Sequence, residues 1–193
     1  MPQRRRRIGL FGGSFNPVHN GHLILAACAM AQLDLDELLF IPCARSADGK
    51  RLSAGARRLR WLRKALRHES GFRGWDGELK RGGLSRSIDT VRQLQAELGE
   101  DCQLYWLLGP DQAARMKDWP EPKALAQAVI FGVFSRPHVK RPALSSFRHR
   151  WLKSPLLEIS SSEIRLKIKR KKPLLGLVPQ SISRDKVLFQ TFR

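Results

Sequence analysis

IGLFGGSFNPVHNGH, residues 8–22, joins a short apolar run to a glycine pair, a loop broken by Pro17, and the opening of a helix. Ile8 to Phe11 is continuous, apolar and stopped by Gly12-Gly13, which is the pattern of a buried strand. His22 to Leu33 carries apolar residues at helical spacing, and Leu38 to Pro42 is a second apolar strand. Strand, helix and strand in this order make a βαβ unit, whose strands are parallel and whose crossover is right-handed.

Outward from this unit the alternation continues. Arg57 to Leu66 places Leu59, Leu62, Ala65 and Leu66 on one helical face, with the intervening arginines toward solvent. Glu78 to Arg81 reads as a short polar strand, Ser85 to Leu98 as a helix, and Gln103 to Leu108 as a buried strand. Asp111 to Lys117 and Glu121 to Ala128 read as short helices around the break at Trp119-Pro120. Val129 to Phe134 is an apolar strand stopped before Pro137, and residues 135–155 predict an irregular surface segment. Leu156 to Ile159 is expected as the last strand. Ser160 to Glu163 is a capping signal for a helix through Lys169, and Pro179 opens a final helix to about Phe189. The pattern predicts one doubly wound α/β domain over 1–193, with a helical C-terminal part from about 160.

The composition fits that expectation: 193 residues with 42% hydrophobic and 27% charged suffice for one domain with a sizeable core. The apolar runs fall far short of the roughly 20 residues a membrane span requires. Arg4 to Arg7 are followed by only Ile8 to Phe11, which argues against a signal peptide. Cys28, Cys43 and Cys102 have neither disulfide nor zinc spacing, so a reducing, cytoplasmic setting is expected. The 36 Lys and Arg against 17 Asp and Glu leave a net charge of +19. Such an excess draws polyanions, either phosphorylated small substrates or a nucleic-acid backbone, and net charge does not separate the two.

Residues 12–22 carry the densest chemistry. Glycines let the backbone approach a ligand, the helix N-terminus offers free N–H groups, and His19 and His22 are aimed at the same region. At the end of a strand in an open α/β sheet, this is a phosphate site with side-chain donors. Ser161, Ser162 and Arg165 form a second candidate anion site at the start of a late helix, although capping by itself accounts for Ser160 to Glu163.

The first stretch resembles the nucleotidyltransferase signature GG(T/S)FxPxHxGH, and the rest is similar to the bacterial nicotinate mononucleotide adenylyltransferase family. Supporting pieces occur in family order: Glu78-Leu79-Lys80-Arg81, Ser85 to Thr90, Leu108-Gly109-Pro110-Asp111, Trp119, Arg136-Pro137, Ile159 to Arg165 and Leu177-Val178-Pro179. The resemblance implies a Rossmann-like, doubly wound parallel sheet of nucleotidyltransferase type. It also implies transfer of AMP from ATP, with Mg²⁺, to nicotinate mononucleotide, giving nicotinate adenine dinucleotide and pyrophosphate. It assigns His19, His22 and Arg165 to catalysis. Gly12, Gly13, Ser14 and Phe15, with the two histidines, Asp111, Arg136, Ser161, Ser162 and Arg165, would bind ATP. Lys50, Arg86, Ser87, Thr90 and Trp119 would bind the mononucleotide, and no protein metal ligands are expected.

Two departures concern the acceptor. Arg86 and Ser87 stand where the family has an aromatic residue and a threonine, and of its PPHK segment only Lys50 remains in Ala47-Asp48-Gly49-Lys50. The alternatives are transfer to nicotinamide mononucleotide or phosphopantetheine, or a non-catalytic homologue that binds nucleotide or, nonspecifically, nucleic acid. The oligomeric state is left open.

Overall fold

The computed structural model describes residues 4–46, 49–99, 101–136 and 139–192. Six parallel strands form one sheet in the order β3-β2-β1-β4-β5-β6. They are β1 (Arg6–Gly13), β2 (Glu37–Pro42), β3 (Phe72–Gly74), β4 (Cys102–Leu108), β5 (Ile130–Phe134) and β6 (His149–Leu152). From β1 the chain runs outward to β2 and β3, then returns to β4 on the other side of β1. The topological switch therefore lies between β1 and β4, where open α/β sheets bind ligands at the carboxyl ends of their strands.

Helices cover both faces. α1 (Asn20–Leu33), α2 (Gly55–Leu66), α7 (Ser161–Lys169), α8 (Gln180–Ser183) and α9 (Lys186–Thr191) enclose a core that includes Phe15, Phe40, Trp61 and Ile164. α3 (Gly77–Arg81), α4 (Ser87–Leu98), α5 (Pro110–Ala113) and α6 (Pro122–Ala128) face a second core built on Ile8, Leu10, Trp106 and Phe131. With both faces buried, the central strands are continuous apolar runs rather than alternating ones.

Several expectations are corrected. Glu78 to Arg81 is helical, and the strand beside β2 is instead Phe72–Gly74, a three-residue edge piece with no apolar run of its own. β6 lies inside the segment expected to be irregular. As an edge strand it fully buries only Leu152, so His149–Leu152 has no buried-strand signature. Leu156 to Ile159 is not a strand: β6 already occupies the edge beside β5, and Leu156 is 65% exposed. The last helix is broken in two at Asp185, whose carboxylate accepts the Val187 N–H at 2.9 Å and pairs with Lys64 at 2.6 Å.

The arginines are also less uniformly solvated than expected. Arg4 pairs with Asp36 and Arg6 with Glu37, each at 2.6 Å, tying the N-terminal run to the start of β2. Arg58, on α2, is 1% exposed. No helix among the described residues is long and apolar enough to cross a membrane.

Candidate active site

The loop between β1 and α1 is held from three directions. Phe15 has a left-handed backbone (φ 44°) and a fully buried ring set edge-on to His22 at 4.9 Å, so only its main chain can meet a ligand. A side chain at Gly13 would place its Cβ 3.0 Å from that ring. From α2, Arg58 donates to the carbonyls of Ser14 (2.8 Å), Cys43 (2.7 Å) and Ser53 (2.9 Å). The Ser53 hydroxyl in turn donates to Asn16 Oδ1 at 2.6 Å. From the C-terminal part, Arg165 donates to the Asn16 carbonyl at 2.9 Å and the Ser161 hydroxyl to the Pro17 carbonyl at 2.8 Å. Asn20 joins the start of α1 to residues 176–178, its N–H reaching Leu177 O and its side chain Gly176 O, each at 2.9 Å.

His19 occupies the N-cap of α1, with its ring stacked on that of His22 at 3.6 Å. His22 Nδ1 accepts the His19 backbone N–H at 3.2 Å, which fixes the neutral tautomer with its proton on Nε2. A Cβ at Gly21 would lie 3.0 Å from His19 Nδ1, so glycine there makes room for the imidazole. Burial holds His19 down at about 4 and His22 well below the usual histidine range, the latter helped by the neighbouring His19. Both imidazoles are neutral donors and acceptors rather than fixed cations. At the start of α7 the Ser160 hydroxyl caps the helix by accepting the Glu163 N–H at 3.1 Å, and Arg165 also donates to Ser162 Oγ at 2.9 Å. Two helix N-termini therefore converge on one loop, bringing the positive ends of two helix dipoles beside it.

The depressed His19 value has a consequence for stability. The unfolded chain takes up a proton near pH 6.5 and the folded one only near 4, so stability is full above 6.5 and falls as the pH drops toward 4. This group alone should cost about 2 to 3 kcal/mol at pH 4.5. Urea unfolding of wild type and His19→Asn at pH 7 and 4.5 should show a drop smaller by about that amount in the variant; parallel curves would refute the assignment.

Beside the loop, at the carboxyl ends of β1, β2 and β4, lies a cavity of about 380 Å³. Its walls include Gly12, Gly13, Ser14, Lys50, Arg86, Ser87 and Trp119 of the expected residues. One wall joins segments far apart in sequence: Ala44 N–H donates to Ser85 Oγ at 2.8 Å, and Arg45 bridges to Leu84. Thr90 does not line the cavity. It is fully buried, donates to Glu78 and accepts from Arg81 at 3.1 Å, so it holds up the wall rather than touching a ligand. Asp111 and Arg136 lie exposed outside the cavity and pair with each other at 3.3 Å. Ala47, Asp48 and Pro137 fall outside the described residues.

Sequence reasoning missed Cys43, Arg45, Trp106 and Gln112 as lining residues, and it passed over Glu78 as a buried carboxylate. Burial raises the Cys43 thiol and the Glu78 carboxyl and lowers the Arg58 guanidinium, each relative to its usual range. Among the described residues no three His, Cys, Asp or Glu side chains are grouped to hold a metal ion. The phosphate end offers imidazoles, hydroxyls and a guanidinium, so the donor set does not fit a protein-held divalent cation.

A glycine turn and two converging helix N-termini at the switch point of a parallel sheet make a place for a phosphate-bearing ligand. Residues 10–167 match the family described as Cytidylyltransferase-like. The chain is 39% identical over 189 residues to a "Probable nicotinate-nucleotide adenylyltransferase" of Bordetella petrii, with 93% of this chain and 95% of that relative covered. A protein of the same name from Methylacidiphilum infernorum is 34% identical, with 91% and 87% covered. The chain belongs to the nicotinate-nucleotide adenylyltransferase family. Among solved structures, Plasmodium falciparum nicotinic acid mononucleotide adenylyltransferase complexed with NaAD superposes with a TM-score of 0.75. The alignment covers 96% of this chain and 94% of that one at 20% identity, a likeness of fold.

Proposed function

We propose that the protein transfers the adenylyl group of ATP to nicotinate mononucleotide, forming nicotinate adenine dinucleotide and pyrophosphate in NAD biosynthesis. The observation that carries this reading is the convergence of α1 and α7 on residues 14–17 beside the aromatic-walled cavity. An oxygen of the mononucleotide phosphate bonds to the α-phosphorus, the bond from that phosphorus to the bridging oxygen of the β-phosphate breaks, and pyrophosphate leaves with the electron pair. The acceptor phosphate is already anionic at neutral pH, so alignment and charge neutralisation replace a general base.

In this reading His19 and His22 contact the phosphates, with His22 Nε2–H at the α-phosphate. Arg165, Ser161 and Ser162 take the β and γ groups, and the backbone of Gly12 to Phe15 lines the approach. Asp111 contacts a ribose hydroxyl and Arg136 the adenine, both from the rim. Lys50, Arg86, Ser87 and Trp119 surround the mononucleotide. ATP enters as its Mg²⁺ complex, the metal travelling with the triphosphate as part of the substrate. The whole of 1–193 serves as one transferase domain, and the cytoplasm is the setting such substrates require.

Purified protein with ATP and Mg²⁺ should release pyrophosphate when offered nicotinate mononucleotide. Nicotinamide mononucleotide and phosphopantetheine, run in parallel, rank the acceptors, and silence with all three would defeat the proposal. Arg86 is exposed on the cavity wall and can pair with the nicotinate carboxylate. Arg86→Ala should reduce the preference for nicotinate over nicotinamide mononucleotide about tenfold in kcat/KM, or about 1.4 kcal/mol. Unchanged discrimination would place carboxylate recognition on other groups.

A further inference from the structure

We infer that Glu78 determines acceptor specificity by setting a carboxylate against the positive charge of a pyridinium ring. The inference rests on the proposed adenylyl transfer and deepens it. Glu78 is 4% exposed and contributes to the same cavity as Trp106 and Trp119. The Thr90 hydroxyl donates to it and the Ser85 hydroxyl is a second hydrogen-bond partner, while the Arg81 guanidinium, bonded to Thr90 (3.1 Å) and Gln93 (2.7 Å), acts on it only through space. Two hydroxyls and a guanidinium acting through space do not offset its withdrawal from water, so the carboxylate gains from further positive charge brought into the cavity. Burial raises the Glu78 carboxyl above its usual range, as that cost requires.

Among the described residues the other charged groups on the cavity wall are cationic: Arg45, Lys50 and Arg86. They suit the anionic parts of a ligand, its phosphate and its exocyclic carboxylate. One carboxylate among them, set with two indoles, suits a flat ring that is itself a cation, since indole faces also attract cations. A pyridine mononucleotide combines these charges: its glycosylated ring nitrogen is positive and its substituents negative. A phosphorylated acceptor without a ring cation gains nothing from Glu78.

The test separates ring charge from ring shape. Nicotinate mononucleotide and its 1,4-dihydro form, whose ring is neutral, are titrated calorimetrically into the full chain and into Glu78→Gln, which keeps an acceptor for Thr90. Wild type should bind the charged ring about tenfold more tightly than the neutral one. In Glu78→Gln the charged form should weaken about tenfold while the dihydro form stays within twofold. Equal affinities in wild type overturn the inference without recourse to any variant. Equal weakening of both forms shows Glu78 to be structural only, and an unchanged ratio in the variant assigns the preference to the tryptophans; either overturns it. If wild type released no pyrophosphate with any pyridine mononucleotide, the transfer reading itself would fail, a result distinct from loss of ring-charge discrimination in an active enzyme.

Discussion

His22→Ala should lower kcat by about three orders of magnitude while the far-ultraviolet circular dichroism and cooperative unfolding remain those of wild type. The His22 ring is held by the His19 N–H on Nδ1, by the stacked His19 ring and by the edge of Phe15, so its Nε2–H is aimed before substrate arrives. A donor already oriented in a poorly hydrated site needs no reorganisation when negative charge builds on the transferring phosphate. Removing one such donor costs on the order of 10²- to 10³-fold. The upper end is expected because the truncation also frees His19, whose ring packs on His22. The alanine methyl retains the helix, since α1 is secured at its start by Asn20 and Leu177 rather than by the imidazole alone.

Steady-state kinetics distinguish this role from ground-state binding. If the interaction is made in the transition state, kcat and kcat/KM fall together and the KM for ATP stays within a few-fold. A variant retaining a tenth of the wild-type rate would place the donor on another residue. A large rise in KM with kcat preserved would make His22 a binding group for the triphosphate.

The loop that carries His22 was legible in sequence because it is local: strand, glycine pair, histidines and helix start occupy fifteen consecutive residues. Ser160 as the α7 cap was legible for the same reason, since its hydroxyl bonds three residues ahead. The central strands were readable because burial on both faces demands unbroken apolar runs. Where partners lie far away in the chain, the sequence carried less. β3 and β6 are edge strands whose pairing is decided by β2 and β5, and neither contains a run long enough to declare itself. The wall joining Ala44 to Ser85 spans 41 positions, so its cavity has no sequence signature. Thr90 and Glu78 lay within recognised motifs, yet their mutual hydrogen bond follows from α3 being helical, which turns Glu78 inward. Arg58 was misplaced because charge pointed to solvent, whereas its position in the stripe with Trp61, Leu62 and Ala65 pointed inward.

Arg58→Met should destabilise the protein by about 3 to 4 kcal/mol and lower Tm by about 10 °C. Methionine fills much of the same space with apolar atoms, so the expected loss is one of hydrogen bonding rather than volume. The three carbonyls of Ser14, Cys43 and Ser53 then lose their common donor. An unsatisfied buried carbonyl costs roughly 1 to 3 kcal/mol, and relief of the desolvated guanidinium returns part of that sum. Arg58→Lys should fall between, because one ammonium on a shorter stem cannot span carbonyls on three separate backbone segments.

The two variants also bear on catalysis. Ser14 belongs to the loop after β1 and Cys43 to the cavity wall, so a single guanidinium sets the distance between the proposed triphosphate and acceptor sites. Assayed well below its melting temperature, Arg58→Met should raise the KM for the mononucleotide and lower kcat together, since misalignment affects both the bound acceptor and its approach to phosphorus. A variant that melts within 2 °C of wild type would mean that water satisfies the three carbonyls and that the remaining ties, from Arg165, Ser161, Ser53 and Asn20, suffice to hold the loop. Loss of stability with both kinetic constants intact would instead show that the loops keep their relative placement without the guanidinium, making Arg58 a support of the fold and not of the alignment.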